Sequence, residues 1–224
     1  MNLITNLQQK ISERHLLDHS FYQRWSEGSL SLEELRNYAR EYFHYSLAFP
    51  TFLSAIHANC DDLTIRQAIL ENLIEEERGA DNHPELWLRF CDSLGMDRDE
   101  ILMSVPSEKT RELIDTMRTL TRDGEVHEGL GALYAYESQV PSVAKTKIEG
   151  LERFYSIRDP KAISFFTVHL AADVIHARTS EDLLDQICDD AQKRDEATDA
   201  VEVTLQALYT FLDGVNVGAS EMVH

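Results

Sequence analysis

The chain is poor in basic residues, in cysteine and in uninterrupted apolar sequence, and each shortage argues against a class of function. With 21 Lys and Arg against 40 Asp and Glu, the formal charge is −19. DNA, RNA and anionic membranes would be repelled over most of the surface. No run reaches the ~18 apolar residues that a membrane span needs. The opening MNLITNLQQKISERHLL has neither the basic start nor the apolar centre of a secretion signal, so a cytoplasmic protein is expected. Cys60, Cys91 and Cys188 are odd in number, far apart and without a CxxC, which argues against a disulfide framework and against a zinc–thiolate site. No Pro/Gly/Ser-rich linker interrupts the sequence, and residues 1–224 are expected to form one domain with a sizeable core.

What the chain does contain is helical periodicity. Leu32, Leu35, Tyr38, Tyr42, Tyr45 and Phe49 recur at threes and fours, as do Leu205, Leu208, Tyr209 and Leu212, and sustained strand alternation is nowhere convincing. Ser31, Ser107 and Ser180 read as helix starts, the first followed by Glu33 and Glu34. Turns are expected at Glu27-Gly28, Gly79, Gly95, Asp123-Gly124 and Asp159-Pro160, giving an all-α bundle of seven or eight helices joined by short links.

One helical stretch carries unusual chemistry. In FFTVHLAADVIHAR, residues 165–178, His169, Asp173 and His176 stand at spacings of four and three in an apolar setting. At about 100° per residue, Asp173 lies about 40° from His169 and His176 about 20° to its other side. All three share one stripe. A buried Asp173 needs a metal, another cation or a hydrogen-bond network, and the stripe alone admits either a metal site or a His-Asp-His network.

Two further places offer ligands. ENLIEEERGADNHPELWLRF contains Glu75, Glu76, Glu77 and His83, with Glu76 and His83 seven apart. Gly79 and Pro84 make one helix through both doubtful, and a run of glutamates is commonly a solvated face. Glu137 sits among Leu133, Tyr134, Tyr136 and Val140, with Pro141 a turn later to bend the helix or open its hydrogen-bond ladder. Its alternative reading is a partly exposed carboxylate. Together, three carboxylates and three imidazoles make a plausible ligand set for a dinuclear iron or manganese centre. The ferritin-like pairing of two Glu-x-x-His motifs is missing from these places. Its matches, Glu41 with His44 and Glu221 with His224, lie elsewhere.

The stretches EEERGADNHPELW (75–87), YAYESQVPSVAKTKIEGL (134–151) and HLAADVIH (169–176) resemble the heme-oxygenase-like dimetal oxidases. HSFYQRW (19–25) and YFHYSLAFPTFLSAIH (42–57) extend the likeness over most of the chain. That superfamily also includes pyrroloquinoline-quinone synthase and the thiaminases. The closest resemblance is to the branch that makes 4-aminobenzoate for folate, related to the Chlamydia protein associating with death domains (CADD). It implies a seven-helix heme-oxygenase-like bundle, likened to dimeric relatives, with two metal ions (Fe/Fe or Fe/Mn) on Glu76, His83, Glu137, His169, Asp173 and His176. Molecular oxygen and an external electron donor are its implied partners. The thiaminase branch needs a nucleophilic cysteine, and none of the three cysteines stands in a matching stretch.

The resemblance further implies that the protein's own Tyr22 supplies the aromatic ring and Lys147 the amino group, in a single self-consuming turnover. Counted from Glu137, Lys145 and Lys147 each fall about 80° away on opposite sides, so helix geometry does not choose between them and motif alignment favours Lys147. Without the resemblance, Tyr22 reads as a packing residue and Lys147 as a solvated charge. Tyr38, Tyr42, Tyr45 and Tyr136 could line a pocket, relay an electron or simply pack. Two rival functions stay open: an oxidase of the same fold acting on an external small molecule, and a non-enzymatic interaction module.

Overall fold

The computed structural model describes residues 2–216, and among them there are eleven α-helices and no strand. In chain order they are α1 (Leu3–Glu13), α2 (Ser20–Glu27), α3 (Leu32–Asn59), α4 (Leu63–Glu77), α5 (His83–Ser93), α6 (Arg98–Met103), α7 (Glu108–Arg118), α8 (Val126–Glu137), α9 (Val140–Phe154), α10 (Ser164–Ile187) and α11 (Ala191–Val215). The count exceeds seven or eight because turn signals cut longer helical tracts into segments. Gly28, Gly79 and Gly95 all take positive φ, where a Cβ would be strained.

The helix ends follow from local chemistry. Ser31 and Glu34 form a reciprocal capping box at the start of α3, and the Ser107 hydroxyl accepts from the Thr110 amide at the start of α7. The expected start at Ser180 is overturned. Ser180 is buried in the middle of α10, because no Gly or Pro interrupts that helix and Leu183 and Leu184 continue its apolar face.

Helix α3 packs on α4, α5 and α7, while α8 lies between α10 and α11, and α9 runs along α10. Trp25, Trp87, Tyr38, Phe165 and Phe166 bring an aromatic cluster to the middle of the core. Each such ring contributes on the order of 2 kcal/mol by leaving water. The two indole N–H groups are also satisfied: Trp87 donates to the Ala39 carbonyl at 2.8 Å and Trp25 to the Lys147 carbonyl at 3.2 Å. These bonds tie α5 to α3 and α2 to α9. No helix among the described residues is long and apolar enough to cross a membrane.

Candidate metal centre

The candidate ligands fall into two groups that share helix α10. Glu76 comes from the last turn of α4 and His83 from the first residue of α5; the chain reverses between them through Gly79. Glu137 is the last residue of α8, where the helix stops before Pro141 opens α9. His169, Asp173 and His176 project from one face of α10. Glu76, His83 and His169 offer ligand atoms all within 4.8 Å of one another, and so do Glu137, Asp173 and His176. All six side chains are almost wholly removed from solvent. Glu137, at 1 % exposure, is not the partly exposed carboxylate that one reading of the sequence allowed.

Charge in this space is poorly compensated. His83 Nδ1 lies 2.7 Å from Glu76 Oε2, yet the ring nitrogen is not aligned to hydrogen bond. Glu137 Oε2, Asp173 Oδ2 and His176 Nδ1 are likewise buried without partners. Each orphaned polar atom costs about 1–3 kcal/mol. Burial, reinforced by Asp173, raises the Glu137 carboxyl to about 8, and burial raises Asp173 to about 6. Burial and the nearby His83 push His169 down to about 3, so its imidazole is neutral. Burial also opposes charge on His176, but Asp173, Glu137 and Glu75 outweigh it and hold that ring at about 9. Orphaned lone pairs converging from oxygen and imidazole donors, without thiolate, fit two first-row divalent cations. His169 is already set for this role, since its Nδ1–H donates to the Phe165 carbonyl at 2.5 Å and leaves Nε2 free to ligate.

The two Glu-x-x-His matches take no part. Glu41 accepts from the Ser107 amide at 3.0 Å and from the Thr110 hydroxyl, while His44 meets the Ser104 hydroxyl at 2.9 Å. Glu221 and His224 lie outside the described residues.

Beside the candidate ligands lies a narrow cavity lined by Tyr22, Tyr42, Tyr136, Lys147, Phe165 and His169, with room for little more than one water-sized molecule. Lys147, only 4 % exposed, points into it. Its amine donates to the Tyr38 hydroxyl at 2.5 Å and sits 5.5 Å from the centre of the Tyr22 ring. Tyr38, Tyr42, Trp87 and Phe166 present their rings to the same nitrogen at 5.0–5.6 Å. Burial lowers the amine to about 7. The Tyr22 hydroxyl stands 3.4 Å from that of Tyr38, and burial raises its pKa, keeping the phenol protonated. Lys145, by contrast, is exposed and reaches only Glu149, at 4.0 Å.

Asn72, Trp87 and Phe166 are neighbours of the site that sequence reasoning passed over. Asn72 donates to Glu137 Oε1 at 2.8 Å. The available signal was its position four residues before Glu76, on the same helical face.

The all-helical core thus encloses six oxygen and nitrogen side chains that could hold metal ions. Residues 36–209 match the family described as iron-containing redox enzyme, and the chain belongs to it. Within that class it belongs with the 4-aminobenzoate synthases. It is 41 % identical to the 4-aminobenzoate synthase of Nitrosomonas europaea, over 92 % of this chain and 87 % of that protein. It is 43 % identical to the one of Chlamydia trachomatis serovar D, over 95 % and 91 %. Solved structures share the fold at low identity. A TenA homolog from Pseudomonas syringae superposes with a TM-score of 0.81 at 15 % identity, over 95 % of this chain and 90 % of that one. A CADD-like protein of unknown function from Nostoc punctiforme gives 0.76 at 19 %, over 95 % of each.

Proposed function

We propose that this chain makes 4-aminobenzoate from its own Tyr22 and Lys147, with two iron, or one iron and one manganese, ions held by Glu76, His83, Glu137, His169, Asp173 and His176. The observation that carries this reading is the cavity. Phenol, amine and the candidate ligand His169 share a space too small for an external aromatic substrate. The larger open groove between α1 and α10 touches Asp173 but neither Tyr22 nor Lys147, which weighs against an oxidase acting on an external molecule.

Beyond its Cα, a tyrosine has the carbon skeleton of 4-aminobenzoate, para-substituted ring and one attached carbon included. The required changes are cleavage of Cα–Cβ, oxidation of Cβ to a carboxylate, and replacement of the phenol oxygen by the Lys147 nitrogen, whose bond to Cε breaks. When bound, the metal ions would supply the redox chemistry, with molecular oxygen as oxidant and an external donor completing the electron balance. The protein's contribution is positioning and protonation. The Tyr38 hydroxyl holds the Lys147 amine beside the Tyr22 ring. Burial keeps a large fraction of that amine unprotonated near neutral pH, so its lone pair is available for C–N bond formation. Phe165 and Phe166 close the cavity against water. The unpaired, buried cysteines support a reducing, cytoplasmic setting.

Intact mass spectrometry after aerobic incubation with iron, manganese and reductant tests the reading. A loss of mass localised to residue 22 is expected. An unaltered chain that turns over an added substrate contradicts it.

A further inference from the structure

Helix α4 supplies a ligand to one group and supports to the other. From its inner face, Glu76 belongs with His83 and His169, while Asn72 donates to Glu137 in the opposite group. Glu75, the neighbour of Glu76, is half exposed, and its Oε2 lies 3.1 Å from His176 Nε2. The other nitrogen of that ring, Nδ1, faces inward, 3.4 Å from Asp173 Oδ1 and 4.0 Å from Glu137 Oε1, and has no hydrogen-bond partner.

We infer that Glu75 is a positioning residue for metal binding: its carboxylate, at ion-pair distance from His176 Nε2, favours the ring proton on that nitrogen and leaves the Nδ1 lone pair for a cation shared with Glu137 and Asp173. A ligating imidazole is neutral and keeps one N–H, so binding a cation releases a ring proton, and the acceptor the ring faces decides which nitrogen gives it up and ligates. The two groups solve this problem differently. His169 is oriented by the neutral Phe165 carbonyl, whereas His176 faces a carboxylate. The second group is therefore richer in carboxyl oxygens, with Glu137 and Asp173 within it and Glu75 behind it, against Glu76 alone in the first. Its hold on a divalent ion depends on an exposed side chain that folding does not require. Nothing in the spacing of Glu75, Glu76 and Glu77 marks which of them plays which part.

This inference rests on the dimetal reading, and one titration separates the two. Metal-free full-length protein is titrated with Mn(II), and the free ion is followed by electron paramagnetic resonance. Wild type is expected to take up two ions per chain. E75Q weakens one of the two binding steps by about 10–100-fold and E75A by at least as much, while thermal unfolding of the metal-free variants stays at the wild-type temperature. E77Q removes the same charge two residues further on, at another exposed position. It leaves both steps within about twofold, as expected of a screened surface charge. Wild-type affinities in E75Q, or equal losses in E75Q and E77Q, overturn the positioning role. A wild type that binds no Mn(II) overturns the dimetal reading together with it.

Discussion

Replacing Lys147 by methionine should abolish product and at the same time stabilise the protein, by an amount that depends on pH. The amine falls from 10.5 to about 7 on burial. At about 1.4 kcal/mol per unit, that corresponds to about 5 kcal/mol of cost for folding a chain that is charged when unfolded. The five rings around the nitrogen favour its charged form, and water entry relieves some of the burial, so about 2–4 kcal/mol is the expected remainder. The sign follows from the direction of the shift. Between pH 7 and 10.5 the unfolded chain binds the extra proton, so raising the pH through this window removes the cost, and below pH 7 the cost is fully present. Urea unfolding of metal-free protein should therefore find K147M more stable by about 2–4 kcal/mol at pH 6.5, or about 5–15 °C in Tm. The gap should nearly close by pH 10.5. A K147M no more stable than wild type, or a gap that is the same at both pH values, refutes a buried, reactive amine at this position.

Other outcomes follow from the same geometry. H169A removes a proposed ligand whose orientation is already fixed by Phe165, and element analysis should show about one metal ion fewer per chain than in wild type. Y22F keeps the ring packing and the metal ligands but loses the hydroxyl facing Tyr38; it should retain metal and form no 4-aminobenzoate by chromatographic assay. At Gly150 a Cβ would come within 2.6 Å of the Trp25 indole, whose N–H holds the Lys147 carbonyl. G150A should cost about 1–3 kcal/mol in urea unfolding and slow product formation as Lys147 shifts.

Much of the fold was legible because helix signals are local. The capping serines at 31 and 107 and the glycine turns act within a few residues, and they stand where their chemistry requires. Ser180 misled because a serine also tolerates a helix interior when the apolar face on either side continues. The His169, Asp173 and His176 stripe was readable from spacing alone, since one unbroken helix carries it. The choice between Lys145 and Lys147 was not. Angles counted from Glu137 assume one continuous helix, but α8 ends at Glu137 and α9 begins at Val140. The angles of the two lysines counted from Glu137 therefore do not carry across that break. The meeting of Glu76 with His83, and of Glu75 with His176, depends on a chain reversal and on helix packing, for which local sequence holds no periodic signal.

The proposed reaction takes the ring and nitrogen of its product from the protein itself. The most direct measurement prepares the protein with ring-labelled [13C]tyrosine and side-chain-labelled [15N]lysine, incubates it aerobically with unlabelled metal, reductant and buffer, and takes the mass of the 4-aminobenzoate formed. A product carrying both labels, in no more than one equivalent per chain, is predicted. Unlabelled 4-aminobenzoate, or many equivalents per chain, contradicts the account.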